Sequence, residues 1–255
     1  MRATELNCGT LRPPGAALVC RVLLLEGAHG TALVDTGFGT ADVEDPARLG
    51  PVRHLLRPAL RREETARAQL AARGIPASAV TDVVLTHGDL DHAGGISDFP
   101  GARIHLLAAE LPAVQRRRGL LEALRYRPAQ WSPAPRLIAH RPGERAWYGL
   151  PGAIDLTRWI PGAVLVPLPG HTAGHAGVAV RTEEGWLLHV GDALQSAASL
   201  ATGMRPDVRL RQRLLAADAA ALRATQGALA RLLREHPEVR VVASHAPPPA
   251  GPGGP

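Results

Sequence analysis

A chain of 255 residues, 45% of them hydrophobic and 20% charged, can bury a sizeable core and has the balance of an ordinary globular protein, which excludes disordered and fibrous classes. The best apolar run, "AALVCRVLLLEG", is broken by Arg21 and falls short of the roughly 20 residues of a membrane span; no apolar segment opens the chain, so a cytoplasmic protein with no membrane partner is expected. The net charge of +6 belongs to a chain that uses arginine and no lysine, a chain-wide habit that marks no nucleic-acid surface; Arg116 to Arg118 read as a solvated face.

Residues 17–26 and 31–35 read as strands around the turn at Gly27 to Gly30, an opening hairpin that ends in "LVDTGFGT". Cys8 and Cys20 lie far apart without a CxxC pattern, so both are expected to be reduced and free. Residues 61–73, "RREETARAQLAAR", have helical composition and stop at Gly74, with Pro76 beyond. "TDVVLT" at 81–86 predicts a short buried strand. A strand at 103–107, a helix over 108–118 and a Pro- and Arg-rich stretch to 162 follow, then strands at 163–168, 176–181 and 186–190, a long helix over 208–235 and a closing strand at 239–244. Hairpin-like runs of strands with helices between them predict α/β layers, sheets flanked by helices, rather than a strictly alternating parallel sheet. One domain is expected over 1–246, and the tail "PPPAGPGGP", residues 247–255, has too few side chains to pack and is expected to be disordered.

The residues that carry chemistry fall at the ends of these strands. "HGDLDH" places His87, Asp89, Asp91 and His92 in one loop after the strand at 81–86. A buried aspartate without a partner costs several kcal/mol, so the loop is either solvated or arranged around something positive. His87 and Asp89, two apart in an extended turn, can point the same way, whereas the adjacent Asp91 and His92 point elsewhere. One loop therefore offers two pairs of ligands, and imidazole with carboxylate suits zinc, iron or manganese. His171 in "LPGHTAGHAGV", Asp192 in "LLHVGDA" and His245 in "VVASHAP" follow, each at a predicted strand end, where a rigid scaffold displays reactive groups.

Together and in this order, "HGDLDH", "GHTAGH", "GDA" and "SHAP" resemble the motifs of the metallo-β-lactamase fold superfamily of metal-dependent hydrolases, and the similarity runs from "LVDTG" to His245. The resemblance implies a four-layer αββα sandwich with a dinuclear site at the edge between the sheets. It places His87, Asp89 and His171 on a first ion and Asp91, His92 and His245 on a second, with Asp192 bridging. The implied cofactors are two divalent metal ions, zinc first, with iron or manganese open. Asp35 and His175 are expected to support the ligands from behind, Asp35 by accepting backbone N–H bonds, and His189 to be structural.

Asp89 is the departure, for the common family pattern has a second histidine there. A harder, charged ligand tilts the site from zinc toward iron or manganese. Asp89 then ligates the first ion, or hangs back and leaves only the second site filled, or marks a site that has lost catalysis.

The expected activity is hydrolysis of a small ester, lactone or thioester. Two ions sharing Asp192 would lower the pKa of a water to about 7, the hydroxide would attack the carbonyl, and Asp91, the candidate catalytic residue, would orient the water and move its proton. The alternatives are an iron-dependent oxidoreductase of the same fold, flavodiiron-like (HxExDH) or of persulfide type, and a non-catalytic metal-binding protein. Substrate choice is assigned to residues 108–162, a cap segment that holds five of the eight aromatic residues: Tyr126, Trp131, Trp147, Tyr148 and Trp159. Tyr126, Arg127, Trp131 and Trp147 are the candidate pocket residues for a small-molecule substrate, against the competing reading of a satellite core.

Overall fold

The apolar run Val22-Leu23-Leu24-Leu25 is continuous because its strand is covered on both faces. Val22 and Leu24 pack with Leu33, Val83 and Ile104 on one side, and Leu23 and Leu25 meet Leu165, Val178 and Val180 on the other. The strand belongs to a computed structural model that describes residues 1–28, 30–132, 135–196, 198–199 and 206–246; the tail at 247–255 lies outside them.

Twelve strands form two six-stranded sheets. The first takes β1 (Arg2–Leu11), β2 (Leu18–Gly27), β3 (Gly30–Val34), β4 (Val80–Val84), β5 (Arg103–Leu107) and β6 (Arg136–His140) side by side in chain order. The second takes β7 (Arg145–Trp147), β8 (Leu150–Asp155), β9 (Ala163–Pro167), β10 (Ala176–Thr182), β11 (Gly185–His189) and β12 (Arg240–Val242) likewise. β3, β4 and β5 run parallel, as do β11 and β12, so the ends of β3, β4, β11 and β12 deliver their loops to one edge.

Helices cover the outer faces. They are α1 (Thr40–Glu44), α2 (Arg53–Leu56), α3 (Ala66–Ala71), α4 (Leu90–Ala93), α5 (Leu111–Arg116), α6 (Gly119–Arg125), α7 (Pro206–Leu215) and α8 (Ala219–Glu235). Ala66, Leu70 and Ala93 join the core outside the first sheet. Leu229 and Leu232 of α8 join Val166, Ala179 and Leu188 outside the second. With the core between the sheets, these make the expected αββα sandwich.

Several elements differ from the sequence-based expectation. β1 goes unread because polar residues interrupt its apolar positions; pairing to β2, from Arg2 opposite Glu26 to Leu11 opposite Leu18, makes it a strand. β6, β7 and β8 lie inside the Pro- and Arg-rich stretch, where exposed outer-strand residues carry no apolar period. The helix expected over 108–118 ends at Arg116 and is followed by α6. That over 61–73 is reduced to a turn at Arg62–Glu64 and α3, whose first turn is capped by the Thr65 hydroxyl accepting from the Ala68 N–H at 3.2 Å. The helix expected over 208–235 is two helices, because the Asp218 carboxylate caps α8 through the N–H groups of Ala220 and Ala221.

Beneath the first sheet, buried Asp82 accepts from Arg103 Nε at 2.6 Å and Nη2 at 2.7 Å and lies 2.8 Å from His105 Nε2, while His105 Nδ1 lies 3.0 Å from His140 Nε2. Burial, then neighbouring His105, push His140 down to about 4, and burial pushes His189 down to about 4 as well. An unfolded chain takes up those protons near pH 6.5, so between roughly pH 6.5 and 4 the unfolded state binds more protons and stability is lost as the pH is lowered. Urea unfolding of chelator-treated protein should give a lower free energy at pH 5 than at pH 7, and His140→Gln should flatten part of that slope; an unchanged slope would remove His140 as a contributor.

Candidate metal centre

Four segments converge where the two sheets meet. The loop after β4 carries His87 and Asp89, α4 carries Asp91 and His92, the β9–β10 turn carries His171, and the ends of β11 and β12 lead to Asp192 and His245. The His87 ring centroid lies 4.0 Å from that of His92 and 4.9 Å from that of His171, and His92 lies 5.5 Å from His245. His87, Asp89 and His171 present ligating atoms within 4.8 Å of one another, and so do His87, His92 and Asp192.

Asp192 sits in the middle. Its Oδ1 is 3.3 Å from His92 Nε2, and its Oδ2 is 3.1 Å from His245 Nε2 and 3.5 Å from His171 Nε2. Asp89 Oδ2 lies 3.2 Å from His171 Nε2 and 3.4 Å from His87 Nε2. Asp91 Oδ2 is 3.6 Å from His245 Nε2, and its Oδ1 is 4.0 Å from His92 Nε2. All seven candidate ligands are thus gathered into one cluster. Cys20, read from sequence only as a free thiol, places its sulfur with Asp91 and His245 in a third such group.

The hydrogen bonds behind the cluster fix which atoms face inward. His92 Nδ1 donates to Asp35 Oδ2 at 2.8 Å, and His245 Nδ1 donates to the Val19 carbonyl at 2.8 Å, so each presents Nε2 to the centre. Asp35 also accepts the Thr86 N–H at 2.7 Å and the Thr86 hydroxyl, so it holds both the strand end and a candidate ligand. His175 donates from Nδ1 to the Leu168 carbonyl and accepts the Asp192 N–H on Nε2 at 2.9 Å, which positions the Asp192 backbone. His189 accepts the Gly191 N–H at 3.2 Å beside it. Within the cluster, His87 Nε2, His92 Nε2, Asp89 Oδ1 and Asp192 Oδ1 are buried with no hydrogen-bond partner. Four inward-facing acceptor atoms without donors fit divalent cations, since buried polar atoms are otherwise satisfied.

Charge tells the same story. Burial pushes the Asp192 carboxyl up, but His245 and His92 more than offset this and hold it well below the usual range. Burial pushes His245 down, yet Asp192 and Asp91 raise it to about 9. Without cations the cluster neutralises itself by protonating imidazoles against carboxylates.

Two residues that sequence reasoning missed organise the site. Glu110, fully buried, accepts the Gly88 N–H and the Tyr126 hydroxyl on Oε1, both at 2.9 Å, and the Thr172 hydroxyl at 2.7 Å and Gly174 N–H at 3.0 Å on Oε2. A Cβ at Gly174 would lie 2.2 Å from the Glu110 nitrogen, so only glycine permits the approach. The available signal was that Glu110 is the only carboxylate between Asp98 and Glu122, set in the apolar run "HLLAAELPAV". Arg125, 8% exposed, donates to the His171 carbonyl at 3.1 Å and the Leu215 carbonyl at 2.6 Å, and its Nη1 lies 3.5 Å from Asp89 Oδ2. Burial pushes Asp89 up, but Arg125 and His87 hold it well below the usual carboxylate range.

The aromatic residues of 108–162 are placed differently from the pocket expectation. Tyr126 is buried behind the ligand loop on Glu110, and Arg127 donates to the Arg48 and Ala123 carbonyls. Trp131 packs against the core of the first sheet, and Trp147 packs with Tyr148 and Trp186 outside the second. Trp159 stands edge-on to His105 and His140. Each tryptophan ring buries its apolar surface against a hydrophobic cluster or another ring. The cavity of about 240 Å³ that opens over the cluster is instead walled mainly by leucines, with Gln195, Arg211 and Gln212 among them and Asp89, Asp91, His171, Asp192, His245 and Arg125 at its floor. Among the described residues, the segment 108–162 lends it only Leu121, Leu124 and Arg125.

The family model of the metallo-β-lactamase superfamily matches residues 15–245, and the chain belongs to that superfamily of metal-dependent hydrolases. Its curated relatives include a protein of Mycobacterium tuberculosis named as a probable metallo-hydrolase, 44% identical over 250 residues, covering 97% of this chain and 81% of the relative. A Mycobacterium bovis protein of the same description matches equally. Among solved structures, an N-acyl homoserine lactone hydrolase with the product N-hexanoyl-L-homoserine at its catalytic metal centre superposes with a TM-score of 0.74 at 20% identity, covering 95% of this chain and 92% of that one. A dizinc quorum-quenching lactonase gives 0.61 at 19% identity, over 92% and 74%. At these identities the structural likeness is one of fold.

Because Glu110 joins two ligand-bearing loops, Glu110→Gln replaces one of its acceptor oxygens by an amide donor facing donors. Metal affinity, measured by chelator competition, should fall about 10- to 100-fold with the fold retained; wild-type affinity would show that the loops hold themselves.

Proposed function

We propose that the protein hydrolyses a lactone, ester or thioester bearing an apolar acyl arm, using two divalent ions. The observation that carries this reading is the mainly aliphatic cavity standing over the cluster: Leu56, Leu90, Leu124, Leu194 and Leu215 outnumber the polar wall residues Gln195, Arg211 and Gln212, while the floor is made of carboxylates and imidazoles. In this reading His87, Asp89 and His171 hold one ion, Asp91, His92 and His245 the other, and Asp192 lies between them. When bound, such ions polarise a carbonyl and acidify a water.

The chain's own residues supply the rest. Asp91 lines the cavity and is partly exposed, so one carboxylate oxygen can orient the attacking water and carry its proton to the departing oxygen or sulfur. The acyl arm lies among the leucines, which exclude water from the reacting carbonyl. Arg125 has its donors turned to the His171 and Leu215 carbonyls and sits beside Asp89. Its positive charge offsets the carboxylate that replaces the family's second histidine. The charge of the first site is then close to that of an all-imidazole site, which supports zinc over iron or manganese.

Elemental analysis of protein purified without added ions should give close to two equivalents, chiefly zinc, and a screen across lactones, thioesters, esters and phosphodiesters should find turnover only with carbonyl substrates. Iron with oxygen consumption and no hydrolysis would replace this reading by the oxidoreductase one. Asp91→Asn should lower kcat at least about 100-fold, and near-normal kcat with full metal would remove the proton-carrying role. Leu124→Trp, which fills the cavity from α6, should shift kcat/KM toward short acyl arms; an unshifted chain-length profile would place the arm elsewhere.

A further inference from the structure

Among the described residues, seven large hydrophobic side chains are exposed, and six of them, Leu55, Leu120, Leu121, Leu210, Leu214 and Leu215, sit on α2, α6 and α7. The seventh, Leu137, is on β6. These three helices frame the outer part of the cavity together with α4, since each also supplies wall residues: Leu56 from α2, Leu124 from α6, Val208 from α7. Leu120 is 77% exposed and Leu214 69%, and neither lines the cavity, so they are not explained by the substrate reading. Scattered exposed leucines are unremarkable; six gathered around one opening mark an interaction surface.

Charge identifies what it fits. Segments 53–57, 116–125 and 206–215 hold nine arginines against only two acids, Glu122 and Asp207. Apart from Arg125, these guanidinium groups are exposed or half-buried. A second copy of the chain would bring like charge against like charge across the same leucines, whereas anionic headgroups complement the arginines and an acyl phase accepts the leucines. We propose that the cavity mouth docks on an anionic phospholipid bilayer, with Leu120, Leu121, Leu210 and Leu214 in the interface and the arginines of α7 and of the α5–α6 joint on lipid phosphates. The face differs from the sequence-based expectation of no membrane partner because three separate segments build it and no single window is apolar enough to register. Arg116 to Arg118, read as a solvated face, form one side of it. The inference is independent of which bond the metal centre cleaves.

The test is sedimentation of the full metal-loaded chain with vesicles of 30 mol% phosphatidylglycerol in phosphatidylcholine, against pure phosphatidylcholine. Binding to the anionic vesicles only, lost in high salt, is expected. Partitioning should drop roughly five-fold for each arginine neutralised, and so at least about 25-fold in Arg116→Glu/Arg213→Glu. Leu120→Ser/Leu214→Ser should also weaken it, with Tm and metal content unchanged to show that the fold survives. Equal or no binding to the two vesicle types, or binding indifferent to both double variants, would overturn the proposal. So would a solution dimer, seen by light scattering, that Leu120→Ser/Leu214→Ser dissociates, because a second copy would then cover this face.

Discussion

Ligands from two separate sheets meet at one point because a single buried carboxylate spans the gap between them. Glu110 takes the Gly88 N–H from the loop after β4 and the Thr172 hydroxyl and Gly174 N–H from the β9–β10 turn. An anion stripped of water and left without donors would cost several kcal/mol, so neither loop can move away without leaving the other facing that penalty. Tyr126 supplies the fourth donor, and its burial against Glu110 and Asp89 raises its hydroxyl far above the ordinary range, so it stays a donor at every relevant pH. Asp35 does the same work on the first sheet alone, joining the end of β4 to His92. The candidate metal centre is held together by two carboxylates, Glu110 and Asp35, that stand behind the candidate ligands.

Charge compensation is arranged on the same plan. Asp89, Asp91 and Asp192 face inward, and the inward nitrogens of His87 and His92 carry no donor partner, which leaves the cluster short of positive charge. Arg125 provides a fixed part of it at Asp89, and the remainder is what divalent cations would supply. The Asp89 carboxylate is not left to the imidazoles alone: a guanidinium stands 3.5 Å from it.

The strand ends, the order of the motifs and the layered α/β class were legible in the sequence because local signals encode them. Histidine and aspartate after an apolar run, with glycines beside them, mark a displayed loop whatever lies far away in the chain. Arg125 was not legible and Glu110 only by its apolar setting, since each acts through partners 16 to 90 positions away that its own window does not reveal. The aromatic residues of 108–162 misled for a related reason: enrichment along the chain reports nothing about which side of a sheet a ring faces. Trp131, Trp147 and Trp159 went to three different hydrophobic or stacked clusters. β6 to β8 were hidden because an outer strand needs only hydrogen bonds from its neighbour.

The interruption between α7 and α8 gives the cavity a mechanical property. At the break, Ala217 N–H donates to the His171 carbonyl and Asp218 N–H to the Gly170 carbonyl, both at 3.0 Å, and Arg125 clasps the His171 and Leu215 carbonyls from the other side. Gly170 has φ +129° and lies so close to Leu222 that no side chain fits there, which leaves the turn little slack. Helix α7 is thus tied to the turn that carries a candidate ligand, so that an outward shift of this wall and the placement of His171 are geared to each other.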